Sequence, residues 1–170
     1  TDAGMDLITV TNHNNARSCW ELQDAGYDVL SAAEFTCFEP EYETYIHVLT
    51  YGFNPIQEVE LLRLKGNLYE FLDYTLARGI PTVWAHPLYI YSRKAYPPIE
   101  FFEKMSVVFQ RFEVISGHRD AWQNLLWASW LEQLTPERIH TYARRSGVPE
   151  GRFTTRPYEK DMTGGSDCHM

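Results

Sequence analysis

A chain of 170 residues, 44% hydrophobic and 15% aromatic, can bury one sizeable core, and its length suits one domain better than two. Its formal net charge of -8 excludes a broad basic surface for nucleic-acid backbone or anionic membrane, so any phosphate it handles must be met by local positive charge. Three scattered cysteines, Cys19, Cys37 and Cys168, argue against a disulfide framework, and neither a membrane span nor a signal peptide is expected, which makes a cytoplasmic setting the default.

In chain order, Thr1-Asp-Ala-Gly-Met5 reads as a helix tail with Gly4 as its terminator, followed by an apolar strand over residues 5–11 and a helix over 15–25. Extended runs follow over 27–37 and 45–53, and helices dominate to Gly79. A short strand over 81–86, a helix over 98–109, a strand over 112–116 and helices over 120–133 and 136–145 come next. The last strand is expected to end in residues 164–169. Both ends read as cut, so the chain is expected to be an internal portion of a longer protein. This alternation predicts an α/β fold with much parallel sheet, closed as a barrel rather than left open. No Gly-rich nucleotide loop follows the first strand, which weakens a dinucleotide-binding reading. Residues 147–161 form a polar, Pro/Gly-punctuated loop in which Arg152, Arg156 and Lys160 are candidates to contact an anion; a solvated connector is the plainer reading.

Ligand-type side chains fall at the strand ends. With side chains two apart sharing a face, His13 lies with Leu7, Thr9 and Thr11, Glu34 with Ala32 and Thr36, His47 with Tyr45 and Leu49, and His86 with Thr82 and Trp84. Pro87 is expected to hold His86 extended. In Gly164-Gly-Ser-Asp-Cys-His169 the same period points Asp167 and His169 one way and Cys168 the other, after small residues that allow close backbone approach. A parallel barrel presents its chemistry at the carboxyl ends of its strands. Singly, each histidine reads as a hydrogen-bonded core residue and Glu34 as a buried, paired carboxylate. Four imidazoles and two carboxylates together are costly to bury unless a cation offsets the desolvation.

These pieces resemble one family. Thr11-Asn-His-Asn-Asn15, the Glu34 strand, Ile46-His-Val-Leu-Thr-Tyr-Gly52, Ala85-His-Pro87, Phe112-Glu-Val-Ile-Ser-Gly117 and Gly165-Ser-Asp-Cys-His169 stand in the order found in the PHP (polymerase and histidinol phosphatase) domain and span almost the whole chain. The Thr-Gly-Gly-Ser-Asp stretch and the helix start at Thr135-Pro-Glu-Arg138 look most like PHP domains found alongside glycosyltransferases.

The resemblance implies a single domain over 1–170 with a distorted TIM-like (β/α)7 barrel, here without its first strand and last helix. It also implies up to three divalent ions (Zn, Mn or Fe) and hydrolysis of a small phosphorylated substrate, monoester or diester. By that resemblance His13, Glu34, His47, His86, Asp167 and His169 are metal ligands, with Glu34 bridging two ions and Glu34, Asp167 and His169 central to catalysis. Asn12 and Glu113 stand behind the ligands, and His118 and Arg119 are candidates to meet the substrate phosphate. The family's first His-x-His pair has no counterpart in this stretch, and Asn12 replaces the usual Asp of a Thr-Asp-His motif. Both departures favour an alternative, a non-catalytic metal-binding module that docks a neighbouring domain such as a glycosyltransferase. A metal-dependent amidohydrolase is a third reading, which the Gly-Ser-Asp-x-His ending fits poorly.

Overall fold

The computed structural model describes residues 8–92 and 95–168. In chain order the described elements are β1 (Asn12–His13), α1 (Arg17–Asp24), β2 (Ala32–Glu39), β3 (Thr44–Tyr51), α2 (Pro55–Leu64), α3 (Leu68–Ala77), β4 (Thr82–Trp84), β5 (Tyr91–Ser92), α4 (Ile99–Val108), β6 (Arg111–Ser116), α5 (Ala121–Glu132), α6 (Pro136–Ser146) and β7 (Asp161–Gly165). The alternation is the mixed α/β architecture expected, with parallel pairs β1/β2, β4/β6 and β6/β7 and an antiparallel pair β3/β5. No described helix is long and apolar enough to cross a membrane.

The first expected strand is corrected, and the alternation expected at the end of the last one is shortened. Of the run 5–11, residues 5–7 lie outside the described residues, Ile8 makes an isolated bridge to Val29, and the ladder itself begins at Asn12. The last strand, Asp161–Gly165, ends within the expected stretch 164–169, but its extended run does not reach Asp167, which at φ 48° lies past its end in the left-handed region. That conformation interrupts an extended run, so side-chain alternation does not apply to Asp167.

The chain divides into two compact units, residues 1–38 with 47–82, and 39–46 with 83–170. In the first, the strand order begins β1-β2-β3. β2 and β3 are neighbours joined by only four residues, too few for a crossover, so they run antiparallel. Ala32, Ala33, Phe35 and Cys37 on β2 are all fully buried, on both faces of the strand. Burial pushes the Cys37 thiol well above its usual range, as suits a packing residue. The Phe35 ring lies 5.9 Å from Phe53 and 5.3 Å from Phe71 of α3. Helix α2 starts at a capping box: Asn54 Oδ1 accepts from the Gln57 amide at 2.9 Å, Gln57 Oε1 accepts from the Asn54 amide at 2.8 Å, and Pro55 takes the first helical position.

The second unit is organised around Trp84, whose ring is fully buried and meets those of Phe101, Phe102, Phe109, Phe112 and Trp127 at centroid separations of 5.4–6.2 Å. These edge and offset contacts join the end of β4 to α4, β6 and α5. The buried Lys104 ammonium on α4 is neutralised by Glu39 at 3.5 Å and by Glu41. Helix α6 starts at the Thr135 cap and Pro136 and stops at Gly147, whose φ of 69° suits a left-handed terminator.

Loop 147–160 binds back onto its own unit, in keeping with its plainer reading as a connector. Thr154 Oγ1 donates to Gln110 Oε1 at 2.8 Å, and Arg156 pairs with Glu159 at 2.6 Å and Asp161 at 3.2 Å. The Arg152 guanidinium lies 4.6 Å over the neighbouring Phe153 ring. Lys160 Nζ donates to the Phe109 carbonyl at 2.9 Å and lies 5.9 Å from the Phe112 ring. Burial lowers the Lys160 ammonium to about 8, against a weaker opposing pull from Asp161.

These contacts set two expected outcomes. Between about pH 8 and the ordinary lysine range the unfolded chain carries a proton on Lys160 that the folded chain does not, so folding becomes more favourable as pH rises through that window. Urea unfolding at pH 7.5 and 9.5 should show the protein gaining stability over that step relative to Lys160→Met, which lacks the titrating group. At the β6/β7 end, the Gly117 amide donates to the Gly165 carbonyl at 3.0 Å, and a Cβ on Gly117 would lie 2.7 Å from the Ser166 carbonyl oxygen. Because the clash is with backbone, Gly117→Ala should cost about 1–3 kcal/mol in the same assay, and an unchanged midpoint would show that this turn can shift freely.

Candidate metal centre

The first unit brings together three of the six expected ligands. The parallel register sets His13 directly across from Glu34, and His47 comes from β3, the other neighbour of β2. One ligand atom from each of the three lies within 4.8 Å of the others. His47 Nδ1 contacts Glu34 Oε1, the His47 and Glu34 side chains are only 11% and 7% exposed, and the His13 ring lies 5.2 Å from the His47 ring at 63°. His13 itself is exposed, which leaves the centre open on one side.

The donors fit a divalent ion. Two atoms each about 2.0–2.2 Å from a common ion stand no more than about 4.4 Å apart, so the spacing here needs only small side-chain adjustments. Two imidazoles and a carboxylate suit Zn, Mn or Fe. A nearly buried carboxylate facing two rings gains from a cation that offsets its desolvation.

The segment carrying His13 is fixed on every side. Thr9 Oγ1 donates to the Leu30 carbonyl at 2.6 Å, and Cys19 Sγ donates to the Val10 carbonyl at 3.1 Å. Asn12 Nδ2 donates to Ser18 Oγ at 3.0 Å, so this amide braces the start of α1. Asn15 Nδ2 donates to the His13 carbonyl at 2.9 Å. Glu58 of α2 accepts from the Ala16 amide and from Trp20 Nε1, both at 2.7 Å, beside the local bond from the Arg17 amide to Asn15 Oδ1 at 3.2 Å. Sequence reasoning singles out neither Glu58 nor Asn14. A single Glu in a helix carries no sequence signal, whereas Asn directly after a strand-end histidine is a residue type that tolerates a left-handed turn.

The second unit holds His86 and Asp167 with Glu113 and Arg119. His86 follows β4 at φ 29°, which corrects the expectation of extended backbone before Pro87. Its conformation is set by a turn rather than by the proline alone: the His86 carbonyl accepts from the Tyr89 amide at 2.8 Å, and its own amide donates to Glu113 Oε2 at 2.9 Å. Glu113 thus stands behind His86, and Gly165 admits it, because a Cβ there would lie 2.7 Å from Glu113 Oε1. Asp167 Oδ2 accepts from Arg119 at 2.9 Å and from Ser116 Oγ at 3.3 Å. The Arg119 guanidinium also lies 3.7 Å over the Tyr89 ring, whose edge-on contact with His86 is 5.6 Å. Tyr89 and Ser116 join this cluster without any sequence signal of their own. His118 is exposed on the turn after β6, and His169 lies outside the described residues.

No family model and no curated protein matches the chain. Its structure is similar to that of an amidohydrolase from Chromobacterium violaceum, a structure with bound sulfate and no metal, at a TM-score of 0.61 and 12% identity over 99% of this chain and 78% of that one. A provisionally assigned metal-dependent phosphoesterase from Bifidobacterium adolescentis gives a TM-score of 0.45 at 13% identity, over 98% of this chain and 78% of that one. At such identities the first likeness is one of fold: this chain shares an α/β architecture with an amidohydrolase.

Proposed function

We propose that this chain is a PHP-type domain that uses divalent metal to hydrolyse a small phosphate ester with water. The distorted TIM-like barrel and the single domain over 1–170 belong to the same proposal. The observation that carries it is the convergence of His13, Glu34 and His47, from three neighbouring strands, to within 4.8 Å. These three would hold an ion, and His86, Asp167 and His169 are proposed as ligands of further ions. Such an ion supplies positive charge that polarises a phosphoryl oxygen and makes a bound water more acidic. The chain's own residues then have defined tasks. Glu34 and His47 keep their donor atoms together in a largely buried place, His13 stands at its open side, and Glu113 fixes the His86 backbone. Arg119, stacked on Tyr89, presents a guanidinium suited to an anionic substrate, and His118 stands beside it on the same turn.

One observation favours the alternative of a metal-holding module without turnover that docks a neighbouring domain such as a glycosyltransferase. Asn12 is an amide, and its Nδ2 is spent on Ser18. The two readings part on one experiment, in which the purified protein is assayed for bound Zn, Mn and Fe and for hydrolysis of p-nitrophenyl phosphate and its diester. On the hydrolytic reading, Glu34→Ala and His47→Ala should each lower metal content and reduce kcat/KM by more than about 100-fold, beyond the loss typical of a residue behind the ligands. Stoichiometric metal without turnover would favour the docking module. Turnover indifferent to both substitutions would remove this site from the chemistry.

A further inference from the structure

We infer that Asn14 is the positioning residue that aims His13 at Glu34 and His47, an inference that rests on reading those three side chains as a metal site. Asn14 meets two demands at once. Its backbone takes a φ of 55°, a left-handed conformation that Asn adopts more readily than most residues with a side chain. This turn comes directly after the strand-end histidine. In that conformation Asn14 grips the partner strand at two points: its amide donates to the Glu34 carbonyl at 2.9 Å, and its Oδ1 accepts from the Thr36 amide at 3.0 Å. A third bond, Asn14 Nδ2 to Thr36 Oγ1 at 3.3 Å, fixes the orientation of the carboxamide.

Glu34 and Thr36 are two apart on β2 and share a face. The grip therefore spans Phe35, whose own side chain is fully buried. The ladder between β1 and β2 has two registered pairs, Asn12 with Ala33 and His13 with Glu34, and the Ile8–Val29 bridge and the Thr9 bond to Leu30 hold the same register before it. Beyond His13 the pairing is held by Asn14. Asn14 extends the pairing by one residue beyond His13 and then turns the chain away. The nearness of the His13 ring to His47 thus depends on a side chain that does not itself belong to the cluster.

The substitutions separate the two demands. Asn14→Gly keeps the left-handed backbone but loses the carboxamide, Asn14→Ala loses the carboxamide and disfavours the turn, and Asn14→Asp retains an acceptor for the Thr36 amide. Two measurements are made on each: zinc affinity by competition with a chromophoric chelator, and the cross-relaxation between His13 and His47 ring protons in the metal-free protein by NMR. Asn14→Ala and Asn14→Gly should bind zinc about 10- to 100-fold more weakly and lose the ring-to-ring signal, with Asn14→Asp close to the unsubstituted protein in both. Retention of affinity and signal by both Asn14→Ala and Asn14→Gly would overturn the inference. If the unsubstituted protein binds no zinc, the metal reading fails and the ring-to-ring signal alone decides the role of Asn14. Should Asn14→Ala fail to fold, Asn14→Gly and Thr36→Val, each lacking part of the grip, decide the question in its place.

Discussion

The arrangement of the first unit depends on the register between β1 and β2. His13 stands opposite Glu34. An offset of one residue would set it against Ala33 or Phe35 and turn its ring to the other face of the sheet. A two-residue strand has few ladder hydrogen bonds with which to hold such a choice, so the register is held from outside it: by Thr9 on the Leu30 carbonyl before the strand, and by Asn14 on Glu34 and Thr36 after it. Hydrophobic alternation, the usual determinant, contributes less here, because Ile8 and Val10 remain largely exposed.

Chemistry in the second unit is organised by different means. Its polar cluster is built on turns, with His86 and Asp167 both at positive φ and the Glu113 carboxylate accepting a backbone amide. Left-handed backbone at residues other than glycine is uncommon and persists where neighbouring hydrogen bonds over-determine it, as the Tyr89 amide does at His86. The aromatic shell around Trp84 gives β4, α4, β6 and α5 one shared anchor, which adds to the pairing of β4 with β6. Arg119 brings a largely buried positive charge to this part of an otherwise acidic chain, and the Asp167 carboxylate answers it.

Much of this is legible in the residues, for reasons that can be stated. Strands and helices alternate along the chain, and the start at Thr135-Pro-Glu-Arg138 announces one helix before any packing is known. His13, Glu34 and His47 are readable as a group because each stands at or within an extended run and in a piece of sequence that resembles one family. Asp167 is not, since Gly164 and Gly165 leave no side-chain pattern from which the end of β7 could be read, and the strand stops earlier than the motif suggests. The conformation of His86 escapes the sequence because the steric rule for a residue before proline weighs local clashes alone, and here a turn hydrogen bond and a carboxylate from β6 decide the outcome. Glu58 is invisible for a similar reason: its partners, Ala16 and Trp20, lie 42 and 38 positions away in the chain.

That distant carboxylate ties the order of assembly to the chemistry. Asn15 Oδ1 accepts from the Arg17 amide within the segment itself, but the Ala16 amide and the Trp20 indole take their acceptor from α2, so the segment bearing His13 has no complete hydrogen-bond set until α2 has docked. Lifting α2 would leave the Ala16 amide, three residues after His13, without this acceptor. The hydrogen bonding of the segment that bears His13 is thus coupled to a helix that contributes none of the three clustered side chains.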